Sequence, residues 1–97
     1  MKLNLNYQIK DLTGKSIPSE QANASKALAG ALANANKGNA AKLMDWAIKF
    51  WNGKVIEIDK TDKEFLEAFI ETCETLTALA KVSLLNSIKE QYENDKK

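Results

Sequence analysis

Carboxylates and lysines are the side chains with which this chain could do chemistry, since its 97 residues include no His, no Arg and a single Cys, Cys73. General acid or base catalysis would fall to carboxylates, Lys, Tyr or Cys. A Ser–His or Cys–His relay cannot form within one such chain, and neither can a zinc site with His or paired Cys ligands. We therefore expect a protein that is not an enzyme and that needs no cofactor.

A cluster of acidic residues, Asp59, Asp62 and Glu64, is the nearest approach to a metal site. A calcium-binding loop places acids at alternate positions around a central Gly and ends on a distal Glu. This segment has no such Gly. The end of a strand followed by a helix N-cap accounts for it better, so we expect no metal-binding residues.

A second acidic group lies on one predicted helix. Four glutamates recur there at spacings of three and four residues: Glu64, Glu67, Glu71 and Glu74. This spacing places them along one side of the helix. The simplest interpretation is a solvated face. The alternative is a docking surface for a basic partner, for which Glu64, Glu67 and Glu71 are the candidate residues.

The predicted helix over residues 40–52 is the most aromatic segment. Its apolar side chains form two stripes. The first consists of Leu43, Ala47 and Phe50, with Trp46 at its edge, and the second consists of Met44, Ile48 and Trp51. Together the stripes cover more than half of the circumference, which is wider than one core-facing stripe requires. The simplest interpretation is that both tryptophans belong to the core. The alternative is a contact surface, because Trp and Tyr are enriched at binding hot spots, and Trp46, Phe50 and Trp51 are its candidate residues.

Single-stranded nucleic acid is the alternative partner for the same helix. Its two tryptophans, Trp46 and Trp51, have three lysines near them in the sequence: Lys42, Lys49 and Lys54. Aromatic rings among cations can stack on the bases of single strands. Against this, the chain lacks the Arg that grips phosphate and guanine, and its pI of 7.8 is below that of a basic domain.

The strands are predicted from alternation and turn residues. Residues 3–9 alternate apolar and polar side chains, which is typical of a half-buried strand. The Asp and Gly of residues 11–14 favour a type I turn, so residues 15–17 can return as a second strand and close a hairpin. Pro18 ends it, because proline cannot donate to a ladder. Residues 55–59 are predicted as a third short strand with Ile56 and Ile58 facing inward.

About four helices complete the prediction. The first runs from Ser19 or Asn23 to about Lys37, and the second covers 40–52 after a cap at Asn39. The third begins at a capping box formed by Thr61 and Glu64 and ends at a break over 72–77. The fourth follows this break and runs to about residue 92. The predicted fold class is therefore α+β, a short N-terminal β-hairpin plus a third short strand packed with these helices. Residues 1–97 form one domain, with 92–97 as a frayed tail.

The cellular compartment is predicted from two features of the chain. A single Cys cannot form an internal disulfide, which suits a reducing compartment. The alternating N-terminus does not resemble a signal peptide, and no apolar run approaches the ~20 residues needed to cross a bilayer. We expect a cytoplasmic protein, in a bacterial cell, without a membrane partner.

Several runs of the chain resemble a group of small uncharacterised proteins of bacteriophages and prophages. These runs are residues 42–47, then Gly53 with the acidic strand after it, then the Phe-rich helix and residues 76–81. The resemblance spans most of the chain, including the hairpin, and carries no catalytic motif. It implies a viral or mobile-element setting, in which small proteins commonly serve as assembly factors, structural accessories or inhibitors of host defences.

The charge is divided between the two halves of the chain. Residues 1–54 carry eight Lys against three acids, a net charge of +5, and residues 55–97 carry six Lys against ten acids, a net charge of −4. Such a division suits head-to-tail self-association. We therefore expect a non-enzymatic protein–protein interaction or assembly module, which binds another protein, itself or both. Inhibition of a host protein is one form of this function.

Overall fold

The computed structural model describes residues 1–17, 22–35 and 39–95, which contain two short strands and four helices. In chain order the elements are β1 (Lys2–Leu3), α1 (Ala24–Ala33), α2 (Ala40–Trp51), β2 (Ile56–Glu57), α3 (Lys60–Thr72) and α4 (Ala78–Asp95). The fold is α+β and dominated by helix, which confirms the predicted class in its broad form.

The alternation of residues 3–9 decides which side chains of the N-terminal segment face the core. Leu3, Leu5 and Ile9 are at most 4% exposed, whereas Asn4 and Asn6 are exposed. The inward face is therefore as predicted. The strand is shorter than the predicted 3–9, because only β1 belongs to a ladder. Its neighbour in this ladder is β2, in antiparallel register.

The predicted hairpin forms its turn but not a second strand. The N–H of Gly14 donates to the Asp11 carbonyl at 3.1 Å, and Gly14 adopts a φ of +87°. Beyond the turn, residues 15–17 contribute one isolated bridge. The ladder stops there because the N–H of Ile9 donates to the carbonyl of Ala22 instead of to the returning chain. The predicted strand break at Pro18 lies outside the described residues.

Asparagine side chains begin the first two helices, as predicted. Asn23 and Asn39 each accept the backbone N–H three residues further on, at 3.1 and 3.2 Å. This is the bond by which an N-cap satisfies one of the free donors of a helix start. Helix α1 ends at Ala33, so the predicted extension to about Lys37 was wrong. The chain leaves the helix at Asn34, whose side-chain amide donates to the Gly30 carbonyl at 2.9 Å. The alternative cap at Ser19 lies outside the described residues.

The capping box of α3 lies two residues earlier than the sequence predicted. Asp59 accepts from the N–H of Asp62 at 2.7 Å, and the Asp62 carboxylate accepts from the N–H of Asp59 at 3.4 Å. The prediction of a Thr61–Glu64 box was therefore wrong. The physical reason is that Asp ranks above Thr as an N-cap, and an Asp at the third helical position can complete the box as Glu does.

The predicted break over 72–77 separates α3 from α4. Helix α3 ends at Thr72, and α4 begins at Ala78, where the Thr77 hydroxyl accepts from the N–H of Ala80 at 3.2 Å. Helix α4 continues to Asp95, so the part of the predicted tail from residue 92 to 95 is helical. Residues 96–97 lie outside the described residues.

The two N-terminal helices form the most extensive packing between elements. Phe50 of α2 is fully buried, and so is Ser25 of α1. The hydroxyl of Ser25 donates to the backbone carbonyl of Phe50. Among the described residues no buried side-chain polar atom lacks a hydrogen-bond partner, so this contact is satisfied as well as tightly packed.

Helix α4 closes the fold against the N-terminal segment. The Tyr7 hydroxyl lies 2.9 Å from the hydroxyl of Ser83. Further along α4, the Gln91 amide accepts from the N–H of Asn4 and donates to the carbonyl of the same residue, both at 2.8 Å. These bonds join residues that are 76 to 87 positions apart in the sequence.

The position of the capping box gives a first prediction. Replacement Asp59→Ala removes the acceptor for the Asp62 N–H, and we expect it to lower the free energy of unfolding by about 1 kcal/mol. Thr61→Ala is the matched control, and we expect it to change that free energy by less than about 0.5 kcal/mol. Urea unfolding followed by far-UV circular dichroism measures both. A larger loss for Thr61→Ala would restore the box predicted from the sequence.

Candidate interaction surface

Helix α2 has one apolar face in the core and a second apolar face in solvent. The core face consists of Leu43, Trp46, Ala47 and Phe50, all at most 5% exposed. The other face consists of Met44, Ile48 and Trp51, which are 48%, 57% and 58% exposed. We call these three residues the outer stripe. They follow one another at spacings of four and three residues, so they lie on one side of the helix.

The aromatic residues predicted to contact a partner are divided between these two faces. Phe50 is fully buried, and Trp46 is 5% exposed with its ring 6.2 Å from the ring of Phe65. Neither side chain can meet a partner without unfolding of the core. Of the three predicted residues, Trp51 alone is exposed, and its neighbours on the surface are Met44 and Ile48.

Charged side chains border the outer stripe on both sides. On one side Asp45 and Lys49 form an ion pair of 3.1 Å, with both side chains roughly half exposed. On the other side the ammonium of Lys26, from α1, lies 5.3 Å from the centre of the Trp51 ring. A cation at this distance is attracted by the ring face. The apolar stripe is therefore narrow and has a polar rim.

A groove runs between Trp51 and α1. Its volume is about 460 Å³, and it is lined by Lys26, Ala27, Gly30, Ala31, Asn34, Trp51 and Thr75. The small side chains of α1 leave the groove open, and a Cβ added at Gly30 would meet no atom within 4 Å. Trp51 thus belongs to the outer stripe and also lines the groove.

The predicted acidic surface is interrupted in the structure. Glu64 and Glu71 are exposed. Glu67 is half-buried and accepts from the ammonium of Lys63 at 2.8 Å, and that ammonium also lies 4.4 Å from the ring of Tyr92. One of the three predicted carboxylates is therefore already paired within the chain, which leaves two separated acids instead of a continuous face.

An ion pair joins α2 to α3. The Lys42 ammonium lies 2.5 Å from the Asp62 carboxylate and 5.0 Å from the centre of the Trp46 ring. The hydrogen bond to Lys42 lowers the pKa of Asp62, and the same bond raises the pKa of Lys42. Both side chains line a small, mainly apolar cavity of about 250 Å³.

Clusters of metal-binding side chains and membrane-spanning helices are absent from the described part of the chain. It contains no group of three or more His, Cys, Asp or Glu side chains that could hold a metal ion. Within those same residues, no helix is both long and apolar enough to span a bilayer.

Comparison of the chain with protein-family models, with curated proteins and with solved structures finds no match.

Two members of the outer stripe were visible in the sequence but were not chosen as site residues. Met44 and Ile48 belong to the second of the two stripes predicted on this helix. The periodicity could not tell which stripe faces the core, because both have helical spacing. Lys26 and the groove beside Trp51 had no sequence signal, since tertiary packing brings them together.

The Lys42–Asp62 contact predicts a change on acidification. Because the pKa of folded Asp62 lies below its ordinary value of 3.8, this contact stabilises the fold above that pH and is lost as the pH falls through the folded pKa. In Lys42→Met, we expect the pKa of Asp62 to rise toward 3.8. Titration of the carboxyl carbon by NMR measures it. Lys49→Met is the control, and an equal rise there would contradict the assignment.

Proposed function

We propose that this chain is a non-enzymatic protein-interaction module and that the outer stripe of α2 is its contact surface. The observation that carries the proposal is the exposure of three large apolar side chains, Met44, Ile48 and Trp51, on one side of one helix. Single exposed apolar residues are ordinary on protein surfaces. A contiguous apolar group with a polar rim is instead typical of interaction sites.

The energetics favour Trp51 as the anchor of this surface. Complete burial of a large apolar side chain is worth about 1.5–3 kcal/mol, and Trp51 still exposes 58% of its surface. Tryptophan is among the residues most enriched at binding hot spots. Lys26 holds one side of the ring, so less conformational freedom is lost when a partner covers the other side.

The proposed setting is a phage or another mobile element, where the module would serve assembly or inhibit a host protein. The resemblance described above supports this setting. The acidic residues Glu64 and Glu71 provide a second, weaker surface for a basic partner, and Glu67 contributes less because it is paired with Lys63. We propose the cytoplasm as the compartment in which the partner is met.

Photo-cross-linking in the cells that produce the protein tests this function. We expect a benzophenone amino acid in place of Ile48 to give a discrete cross-linked species. The same amino acid in place of Val82 is the matched control, since Val82 is also 57% exposed but lies on α4. Trp51→Ala should remove the species formed at position 48. Identical species from both positions, or a species unaffected by Trp51→Ala, would exclude the outer stripe as the contact surface.

Binding of single-stranded nucleic acid remains the second candidate, and the exposed Trp51 favours it. Lys26 lies over this ring, and Lys49 and Lys54 are close to it in sequence. The burial of Trp46 weakens the candidate, because it leaves one ring for stacking instead of two. Base stacking on one aromatic ring is worth about 1–3 kcal/mol, so binding would depend mainly on the lysines.

The quenching of tryptophan fluorescence by oligodeoxythymidine tests the second candidate. If it holds, quenching should be strong at about 20 mM salt, weak at about 200 mM salt, and absent in Trp51→Phe. The remaining Trp46 then serves as an internal reference. Quenching that is absent at low salt, or that survives Trp51→Phe unchanged, would exclude nucleic-acid stacking at this surface.

A further inference from the structure

We propose that a second copy of this chain covers the outer stripe, with the two α2 helices packed antiparallel about a twofold axis. This inference rests on the proposed function, because it names the partner of the same surface. A closed twofold dimer requires a surface that is complementary to itself. The outer stripe and its charged border meet this requirement in spacing, shape and charge.

The spacing of the stripe is that of a helix–helix seam. Counted with Ala41, which is also exposed, the apolar residues on this side of α2 are 41, 44, 48 and 51, separated alternately by three and four positions. This alternation is the pattern of the a and d positions at which two helices interlock their side chains. On α2 the pattern lies on the side away from the core, so it is free to meet another helix.

An antiparallel arrangement places unlike side chains of the stripe opposite one another. If the twofold axis passes beside Ile48, Met44 of each copy faces Trp51 of the other. A flexible thioether against an aromatic ring is a favourable contact. Ile48 then lies next to its own counterpart at the centre. A parallel arrangement would instead oppose Trp51 to Trp51 and Met44 to Met44.

The charges beside the stripe also fit a second copy. Asp45 and Lys49 lie on the same side of α2 and form their 3.1 Å ion pair within one helix. Reversal of the helix direction brings Asp45 of one copy to the level of Lys49 in the other, so two ion pairs can form across the axis. This border carries one positive and one negative charge. A uniformly acidic or basic partner would satisfy only one of the two.

The size of the surface sets the strength that we expect. Helix α2 has 12 residues and is therefore about 18 Å long, which confines the contact to a small interface. Interfaces below about 1,200 Å² of total buried area are typical of transient complexes. We expect a dissociation constant of about 1–100 μM, so that monomer and dimer both occur at laboratory concentrations.

Sedimentation equilibrium over a range of concentrations tests the dimer. For the unaltered protein we expect a reversible monomer–dimer equilibrium without larger species. Ile48→Lys should raise the dissociation constant by at least about tenfold, because it places two ammonium groups at the axis. Val82→Lys is the matched control on α4 and should leave it unchanged. Open-ended oligomers that dissolve in salt would overturn the twofold dimer in favour of head-to-tail contact between the basic and acidic halves.

Reversal of charge tests the ion pairs across the axis. Asp45→Lys and Lys49→Asp should each weaken the dimer, since like charges then meet between copies. The double variant Asp45→Lys/Lys49→Asp should restore it. Failure of the double variant to recover would overturn the proposed pairing.

Disulfide cross-linking tests the direction of the helices. In a Cys73→Ser background, a mixture of Met44→Cys and Trp51→Cys chains should form mixed dimers faster than either chain forms dimers alone. Faster dimers of like chains would establish parallel packing and overturn the antiparallel geometry. These variants report on direction even if the loss of Trp51 weakens the equilibrium, because the disulfide traps transient encounters.

The outcomes separate this inference from the proposed function. A protein that stays monomeric at about 500 μM, well above the expected dissociation constant, overturns the dimer. The photo-cross-linking experiment then still decides whether another protein covers the outer stripe. Conversely, a dimer that Ile48→Lys does not weaken uses another surface and overturns the α2 dimer, while photo-cross-linking still tests the outer stripe as the contact surface for a different protein.

Discussion

The burial of Phe50 against α1 is the contact on which the exposed surface depends. Its ring is fully buried, and its carbonyl accepts from the buried hydroxyl of Ser25. These two contacts fix the rotation of α2 about its own axis. Successive helical residues are about 100° apart, so Trp51 lies on a different side of α2 from Phe50, and that side faces solvent. The direction of the whole outer stripe therefore follows from one buried residue.

The small side chains of α1 determine what lies beside Trp51. Ala24, Ser25 and Ala31 are buried and let α1 approach α2 closely, which carries Lys26 to the Trp51 ring. The groove between α1 and that ring exists for the same reason, because residues of this size do not fill the space. Gly30 leaves the groove open but lowers the intrinsic stability of helix α1. Packing against α2 supplies the stability that the local sequence lacks.

Local features were predictable from the sequence, and contacts between distant segments were not. The inward face of residues 3–9 and the caps at Asn23 and Asn39 depend on neighbours within a few positions. The partner of β1 depends on a segment more than fifty residues away, so alternation alone favoured the nearer hairpin. On α2 the sequence predicted both apolar stripes. The choice between Phe50 and Trp51 as the core residue required the position of α1, which no periodicity contains.

The hydrogen bonds between Gln91 and Asn4 occupy the backbone groups next to β1. A strand at the edge of a sheet offers free backbone groups to which another chain can add. Next to β1, both backbone groups of Asn4 are already bonded to the amide of Gln91. The Gln91 amide thus makes the two hydrogen bonds that one residue of a neighbouring strand would make. This contact therefore blocks the addition of another strand at Asn4.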